Sequence, residues 1–230
     1  MSEHGTDQQR LREILAATSC VMLDFDGPLC AVFADLGAST VAARALDAIR
    51  QAGYADVARR CETSDPLDLL ESIAAEYPEL VPDVDAVVSD AENEAVSNAA
   101  STPGVVELIE RCHASGRSLC IVSNNAESAV RAYLAEYGLT RKVDAIAARR
   151  PDDAAHLKPD TRLLRRVAEA TGSSPAACTL IGDSPSDIKA AHAFGAHAIG
   201  YANKPGKFVK LTNAGADTVA EKLELITSEL

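Results

Sequence analysis

The stretch CVMLDFDGPLC, residues 20–30, decides the fold and the chemistry that this sequence predicts. An apolar run leads into Asp24 and Asp26, and a Gly-Pro pair follows at once. The apolar run predicts a buried strand, and the Gly-Pro pair predicts the turn that ends it. Two carboxylates this close repel each other unless a cation lies between them or one of them keeps its proton. The rest of the chain must therefore supply a positive partner for the pair.

The composition indicates a globular protein with a real core, since 47% of the 230 residues are apolar. The net charge of −12 argues against a nucleic-acid partner, because such proteins meet phosphates with Lys and Arg. No apolar run approaches the roughly 20 residues of a membrane helix, and the polar start MSEHGTDQQR lacks the apolar region of a signal peptide. We therefore expect a cytoplasmic protein without a membrane partner. The six cysteines form no CxxC pair, which favours reduced thiols over disulfides or zinc.

Short apolar runs that alternate with helical patterns predict an α/β fold, with a Rossmann-like parallel sheet covered by helices on both faces. The predicted strands are 20–25, 118–124, 144–149, 178–183 and 197–202. The pattern after the second run predicts a helix that buries Val130, Leu134 and Tyr137 and ends at Gly138. The pattern before the fourth run predicts a helix that buries Leu163, Leu164, Val167 and Ala168.

About ninety residues separate the first two runs, far more than a strand-helix-strand crossover needs. This segment reads as helical, so we predict an inserted cap at 31–101 on a core formed by 1–30 and 102–230. Asp65 and Pro66 predict a helix start, and a later helix is expected to bury Val84, Val87, Ala91 and Ala95 on one stripe. The segment carries 14 acidic residues against four arginines and no lysine, which is nearly all of the excess acid.

Polar side chains follow several predicted strands at the carboxyl edge, where ligands bind in open α/β sheets. Ser123 and Asn124 follow the second strand, Asp183 and Asp187 follow the fourth, and Lys158 lies between the third and fourth. Each signal alone is ordinary turn chemistry. Together they gather several carboxylates at one point, which requires a cation, and an oxygen-ligated ion such as Mg²⁺ fits. Mg²⁺, a lysine and a hydroxyl are the groups that bind a phosphoryl group and stabilise its negative charge.

With these residues in place, the sequence resembles the haloacid dehalogenase (HAD) superfamily of phosphohydrolases. Four motifs occur in the family's order: DFDGP, IVSNN, HLKPD and IGDSPSD. The later AGAD at 214–217 is also typical, and an insertion after the first motif corresponds to the family's C1 cap type. The resemblance covers the whole predicted core and points to the phosphoglycolate phosphatase and β-phosphoglucomutase-like branch.

The resemblance implies a role for each motif aspartate. Asp24 is expected to be the nucleophile that forms an aspartyl-phosphate. Asp26 is expected to protonate the leaving oxygen and then to activate water. Mg²⁺ is expected to be held by the carboxylates of Asp24 and Asp183 and by the backbone carbonyl of Asp26. Asp187 is expected to orient Lys158 or a metal-bound water.

The remaining motif residues are expected to handle the phosphoryl group. Ser123, a catalytic residue in this scheme, is expected to bind phosphoryl oxygens together with the backbone that follows it, and Asn124 is expected to bind substrate. Lys158 is expected to neutralise charge on both the nucleophile and the phosphoryl group.

The function predicted from the sequence is a magnesium-dependent phosphatase of a small phosphorylated metabolite, in a monomer or a homodimer. The acidic cap favours a substrate whose leaving group is neutral or cationic, although the same acids could simply coat the solvent face of the cap. Two alternatives stay open: a β-phosphoglucomutase-like sugar-phosphate mutase, and a catalytically silent binding module that keeps the fold.

Overall fold

The computed structural model describes residues 3–33, 36–61 and 63–230, and within them a six-stranded parallel sheet forms the centre. The strands are β1 Cys20–Leu23, β2 Ser118–Ala126, β3 Ala145–Arg149, β4 Cys178–Gly182, β5 His197–Tyr201 and β6 Thr218–Ala220. Their order across the sheet is β3-β2-β1-β4-β5-β6, so β1 and β4 lie at its middle. The predicted α/β fold class is confirmed.

Helices cover both faces of the sheet and fill the long connection after β1. They are α1 Glu3–Ala17, α2 Ala38–Gln51, α3 Ala55–Arg60, α4 Pro66–Glu76, α5 Val81–Val96, α6 Val105–Ala114, α7 Glu127–Glu136, α8 Arg162–Thr171, α9 Pro185–Phe194, α10 Lys207–Asn213 and α11 Leu223–Thr227. In the described ranges, no helix is long and apolar enough to cross a membrane.

Strand β1 shows why the opening stretch is apolar without interruption. Val21 and Leu23 pack into the buried cluster on one face of the sheet, and Cys20 and Met22 pack into the cluster on the other. All four side chains are fully buried, because β2 and β4 flank the strand and helices cover both faces. The apolar side chains of β1 are thus all buried, and Asp24 follows directly at the carboxyl end of the strand.

All five predicted strands are present, but β6 was missed. Its three residues Thr218–Ala220 add to the edge of the sheet beside β5. A run of three residues with a threonine in it carries too little apolar signal to be recognised by pattern alone.

The connection between β1 and β2 holds helices α2 to α5, which pack on one another around a third buried cluster. Asp65 caps α4 as predicted, because its carboxylate accepts the N–H groups of Leu67 and Asp68 at 2.8 and 3.2 Å. The division of the chain at residues 31 and 101 stays a prediction.

The predicted stripe of α5 was wrong in part. Its buried residues are Val84, Asp85, Val88, Ala91, Glu92 and Val96. Val87 and Ala95 are only half-buried. Two acids thus belong to the inward face of the helix, because Arg149 of β3 lies opposite and pairs with both.

The helix faces after β2 and β3 agree better with their patterns. Helix α8 buries Leu163, Leu164, Val167 and Ala168 as predicted. In α7 the buried tyrosine is Tyr133, whereas the predicted Tyr137 is exposed and stacks on the Tyr133 ring at 4.4 Å between centroids. An apolar period cannot tell which of two tyrosines four residues apart is covered.

Candidate active site

The carboxyl edge of the sheet brings the predicted residues together, since β1, β2 and β4 are parallel and adjacent. Asp24 follows β1, and its N–H donates to the carbonyl of Ile181 in β4. Asp183 follows β4, and Asp187 lies in the first turn of α9. Lys158 enters from the segment between β3 and α8.

Lys158 is the centre of the site. Its Nζ lies 2.8 Å from Asp24 Oδ1, 2.6 Å from Asp187 Oδ1 and 2.9 Å from the carbonyl oxygen of Val122. Only 4% of the residue is exposed. A buried ammonium needs paired charges and hydrogen bonds, and these three contacts supply both. The positive partner that the first motif required is therefore Lys158.

The ionisation of this pair follows from its surroundings. Burial, followed by Asp187, raises the pKa of Asp24 to about 8, although Lys158 works in the opposite direction. Burial lowers the pKa of Lys158, but Asp187 and Asp24 more than compensate and hold it above its usual value. The lysine therefore stays protonated, and added positive charge near Asp24 would favour the ionised form of its carboxyl.

Asp187 is fixed by the start of α9. Its Oδ2 accepts hydrogen bonds from the N–H and the hydroxyl of Ser184 at 3.0 and 2.6 Å, in a capping box. Its Oδ1 is left for Lys158. Gly182 makes this approach possible, because a Cβ there would overlap the Asp187 side chain.

Asp26 and Asp183 flank the centre at the mouth of the sheet. Burial raises the pKa of both carboxyls. The side chain of Asp26 accepts the N–H of Val32 at 2.9 Å. Gly27 has a φ of 106°, and a side chain there would collide with Asp183, so this glycine satisfies both a turn and a close approach.

Asp24, Asp183 and Asp187 place one carboxylate oxygen each within 4.8 Å of one another. Hard oxygen donors at this separation match the ligand preference of Mg²⁺. Burial is the main cause that raises the pKa values of Asp24 and Asp183, the charge of Asp187 adds to it, and a bound cation would act in the opposite direction. Because both oxygens of Asp187 already bind Ser184 and Lys158, Asp24 and Asp183 are the members of this group that fit a divalent ion.

At the end of β2, the side chains of Ser123 and Asn124 form hydrogen bonds within the protein, whereas the sequence predicted that these residues bind the phosphorylated substrate. The side chain of Ser123 is fully buried, and its hydroxyl donates to Asn125 Oδ1 at 3.0 Å. The side-chain amide of Asn124 binds the backbone of Lys158: it accepts the N–H at 2.8 Å and donates to the carbonyl at 3.3 Å. Asn124 therefore positions the loop that carries the lysine.

A cavity of about 430 Å³ opens over these residues, and its far wall belongs to helix α4. The wall on the sheet side includes Asp24, Asp26, Lys158 and Asp183. The α4 wall includes three acids, which are Asp65, Asp68 and Glu71.

Three further residues were not singled out from the sequence. Lys207, at the start of α10, pairs with Asp183. Arg149 and Glu92 form a buried ion pair behind the end of β2. Their partners lie between 24 and 57 positions away along the chain, so no local pattern reveals them.

Comparison with known proteins adds a family and named relatives. The family model described as haloacid dehalogenase-like hydrolase matches residues 18–195. A phosphoglycolate phosphatase of Mesorhizobium japonicum is 38% identical over 93 residues, 40% of each chain. One of Aliivibrio fischeri is 27% identical over 130 residues, 56% of each chain. The chain thus matches about half the length of these curated relatives.

Solved structures share the fold over most of their length. A predicted phosphatase from Clostridium acetobutylicum superposes with a TM-score of 0.70 at 17% identity, over 92% of this chain and 97% of that one. CbbY from Rhodobacter sphaeroides in complex with phosphate superposes with a TM-score of 0.65 at 18% identity, over 89% and 94%. At these identities the likeness concerns the fold alone.

Proposed function

Because this chain belongs to the haloacid dehalogenase-like hydrolase family, as its motifs predicted, we propose that it is a magnesium-dependent phosphatase. It cleaves a small phosphomonoester through an aspartyl-phosphate on Asp24. The observation that carries the proposal is the buried Asp24–Lys158–Asp187 arrangement at the mouth of the sheet. The names of the curated relatives, which are phosphoglycolate phosphatases, support the reaction class.

Asp24 is the nucleophile because it is oriented and has one oxygen to spare. In the described part of the chain, the hydrogen bonds to its side chain end on Oδ1, from the N–H of Phe25 and from Lys158. Oδ2 attacks the phosphorus atom, the bond from phosphorus to the leaving oxygen breaks, and the leaving oxygen takes a proton from Asp26. A water then attacks the phosphorus, gives its proton to Asp26, and frees phosphate and the Asp24 carboxylate.

The positive charges serve the same step. Phosphoryl transfer relies on positioning and charge neutralisation more than on covalent chemistry by the protein. Lys158 neutralises charge on Asp24 and on the phosphoryl oxygens. Asp24, Asp183 and the backbone carbonyl of Asp26 would hold Mg²⁺. When bound, the ion supplies Lewis-acid charge stabilisation at the phosphoryl oxygens.

The far wall of the cavity suggests the substrate class. Asp65, Asp68 and Glu71 would surround the leaving group, and their charge disfavours an anionic one. The arginines of the inserted segment do not line this cavity. Arg44 pairs with Glu94, Arg50 with Asp47, Arg59 with Asp56, and Arg60 with the Tyr77 hydroxyl. A small metabolite with a neutral or cationic leaving group therefore fits best.

The proposed division of labour is that 1–30 and 102–230 form the catalytic core and 31–101 forms the cap. The helical content and separate buried cluster of α2 to α5 support it.

A phosphate-release screen over phosphorylated metabolites with Mg²⁺ tests the function. The wild-type protein should release phosphate from at least one phosphomonoester, and Asp24→Asn should abolish release without unfolding the protein. Asp90→Asn, an exposed acid of α5, is the matched control and should retain activity. Isomerised sugar phosphate without phosphate release would favour a mutase, and no reaction with any ester would favour a silent binding module.

A further inference from the structure

A second buried ionic group lies behind the end of β2. Arg149, at the end of β3, is 2% exposed, and Glu92 of α5 is 0% exposed. A guanidinium nitrogen of Arg149 lies 2.6 Å from Glu92 Oε2, and another pairs with Asp85. Asp85, Ser89 and Glu92 are spaced i, i+4, i+7 on α5, so that one face of the helix meets the arginine.

Glu92 also binds residues 123–126, the last four residues of β2, here called the β2 loop because their pairing with β3 is irregular. Its Oε1 accepts the side-chain amide of Asn125 at 3.0 Å, and its Oε2 accepts the N–H of Ala126 at 2.8 Å. Arg149 Nε donates to the carbonyl oxygen of Asn124 at 2.9 Å. The helix and the arginine thus hold the loop by three hydrogen bonds.

The β2 loop needs these partners because its hydrogen bonding to β3 is interrupted. The pairing of β2 with β3 shifts register between Ser123 and Ala126. At such an irregularity, backbone groups lose their ladder partners, and a buried group without a partner costs free energy. Glu92 and Arg149 replace the missing ladder partners.

The contacts continue to the candidate active site. The side chain of Asn125, which Glu92 holds, accepts a hydrogen bond from the Ser123 hydroxyl through Oδ1. The backbone N–H of Asn125 donates to the oxygen of that same hydroxyl at 3.1 Å. Asn124, whose carbonyl is held by Arg149, binds the backbone of Lys158 through its side chain. A buried ion pair is a poor source of net stability, so its value here is the position that it fixes.

We propose that Glu92 and Arg149 are positioning residues, through which helix α5 fixes the β2 loop and with it the Ser123 hydroxyl and Lys158. The inference rests on the proposed function, in which Lys158 neutralises charge on the phosphoryl oxygens, and on the expectation from the motifs that Ser123 binds them. Neither Glu92 nor Arg149 lines the cavity, so both act through other residues.

Glu92→Gln tests the proposal against Glu94→Gln, which removes an exposed carboxylate two residues away on the same helix. The glutamine keeps the shape of Glu92 but presents an N–H group toward donors. A displaced phosphoryl site weakens ground-state and transition-state binding alike, so KM should rise about tenfold while kcat changes less than about threefold. The inhibition constant of inorganic phosphate should rise with KM, and Glu94→Gln should leave all three unchanged.

The exchange rate of the Ala126 amide, measured by NMR, is a readout that does not require turnover. In Glu92→Gln one of the two acceptor oxygens becomes an NH2 group, so Ala126, Asn125 and Arg149 compete for the single oxygen that is left. Exchange of the Ala126 amide should therefore quicken about tenfold, while the Val122 amide of the same strand keeps its rate. A wild-type protein that exchanges as expected but hydrolyses no ester would reject the proposed function and keep the positioning role of Glu92.

Two results would overturn the proposal. One is an unchanged KM together with unchanged Ala126 exchange in Glu92→Gln. The other is an equal effect in Glu94→Gln. If Glu92→Gln does not fold, Arg149→Lys takes its place, because lysine keeps the charge but lacks the forked donors. The same rise in KM is then expected, and an unchanged KM would reject the role.

Discussion

Lys158 is the residue on which the candidate site depends most. Its Nζ joins Asp24 of the first motif to Asp187 of the fourth, at 2.8 and 2.6 Å, inside the protein. Removing one member of a buried ionic group leaves the others without compensation, which costs far more than the group contributes when intact. The same side chain is therefore expected to matter for stability as well as for turnover.

Replacing Lys158 with methionine should abolish phosphate release and lower the free energy of unfolding by about 3–5 kcal/mol at pH 7. Urea unfolding followed by circular dichroism measures the second effect. Lys189→Met, on the exposed side of α9, is the matched control and should stay within about 0.5 kcal/mol of the wild type. A Lys158→Met protein as stable as the control would show that the lysine does not compensate the buried aspartates.

At the residue scale, the sequence predicted which side chains lie close together where the motifs are local, and it missed the contacts between distant elements. Asp24, Lys158, Asp183 and Asp187 were placed correctly at one point because parallel strands end at one edge. The buried state of Glu92 could not be predicted, because its partner Arg149 lies in another element. An acid on a helix surface and an acid paired inside look alike in sequence.

At the element scale, the turn from β4 to α9 fixes Asp187. Gly182 ends β4, and its missing Cβ lets the first turn of α9 lie close to the strand. Gly200, its register partner on β5, would bring a Cβ to 3.0 Å from Leu211 Cβ, a much milder approach. Gly200 is therefore a suitable control position for a substitution at Gly182.

Gly182→Ala should lower the free energy of unfolding by about 2–3 kcal/mol and should reduce activity strongly, because the added methyl group displaces Asp187. Gly200→Ala should cost about 1 kcal/mol or less and leave the site intact. Thermal unfolding and phosphate release check both variants. Equal losses of activity in the two would mean that strand geometry, and not the position of Asp187, is responsible.

Asp217, between α10 and β6, gives a pH-dependent prediction. Burial raises the pKa of Asp217, but the N–H of Ala198, at 2.9 Å, and the imidazoles of His192 and His197 outweigh it and leave a lowered pKa. A carboxyl with a lowered folded-state pKa stabilises the protein above its unfolded-state pKa of about 4, and this stability is lost as pH falls through the folded-state value.

Asp217→Asn should therefore cost about 1–2 kcal/mol at pH 7 and progressively less as the pH falls below about 4. Urea unfolding at pH 7 and pH 3 measures the difference, with the exposed Asp7→Asn as the control. A cost that does not change with pH would show that the hydrogen bond to Ala198, and not the charge, carries the effect.

The buried face of a helix was predicted correctly where a long apolar period marks it. It was predicted incorrectly where an ion pair determines which side chains are buried. The four buried residues of α8 follow a clear helical period. Helix α5 is rotated from its predicted stripe because two of its acids pair with Arg149. Strand β6 was missed because it is short and lies at an edge.

At the scale of the whole molecule, the acids of the inserted segment that the structure describes are exposed, apart from the two that face Arg149. Asp85 and Glu92 are buried against Arg149, whereas Asp65, Asp68 and Glu71 line the cavity. Asp65, Asp68 and Glu71 are themselves exposed, and what distinguishes them is that they border the cavity. These acids line the same cavity as Asp24, where in the proposed function they would meet the leaving group.

This arrangement predicts a substrate preference. The wild type should hydrolyse phosphoethanolamine, with a cationic leaving group, about tenfold faster in kcat/KM than phosphoglycolate, with an anionic one. The double variant Asp68→Ala/Glu71→Ala should bring the two substrates close to equal. A wild type that prefers phosphoglycolate would reject the preference and leave the phosphatase proposal standing.

Asp24 as the phosphoryl acceptor is tested most directly by rapid quench of the Asp26→Ala variant with para-nitrophenyl phosphate and Mg²⁺, followed by peptide mass spectrometry. This substrate needs no proton for its leaving group, so the intermediate forms, but its hydrolysis lacks the Asp26 base and is slow. The predicted result is one phosphoryl group on the peptide that contains Asp24, absent when Asp24→Asn is added. Phosphate release by the wild type without that peptide, or a phosphoryl group on another residue, would contradict it.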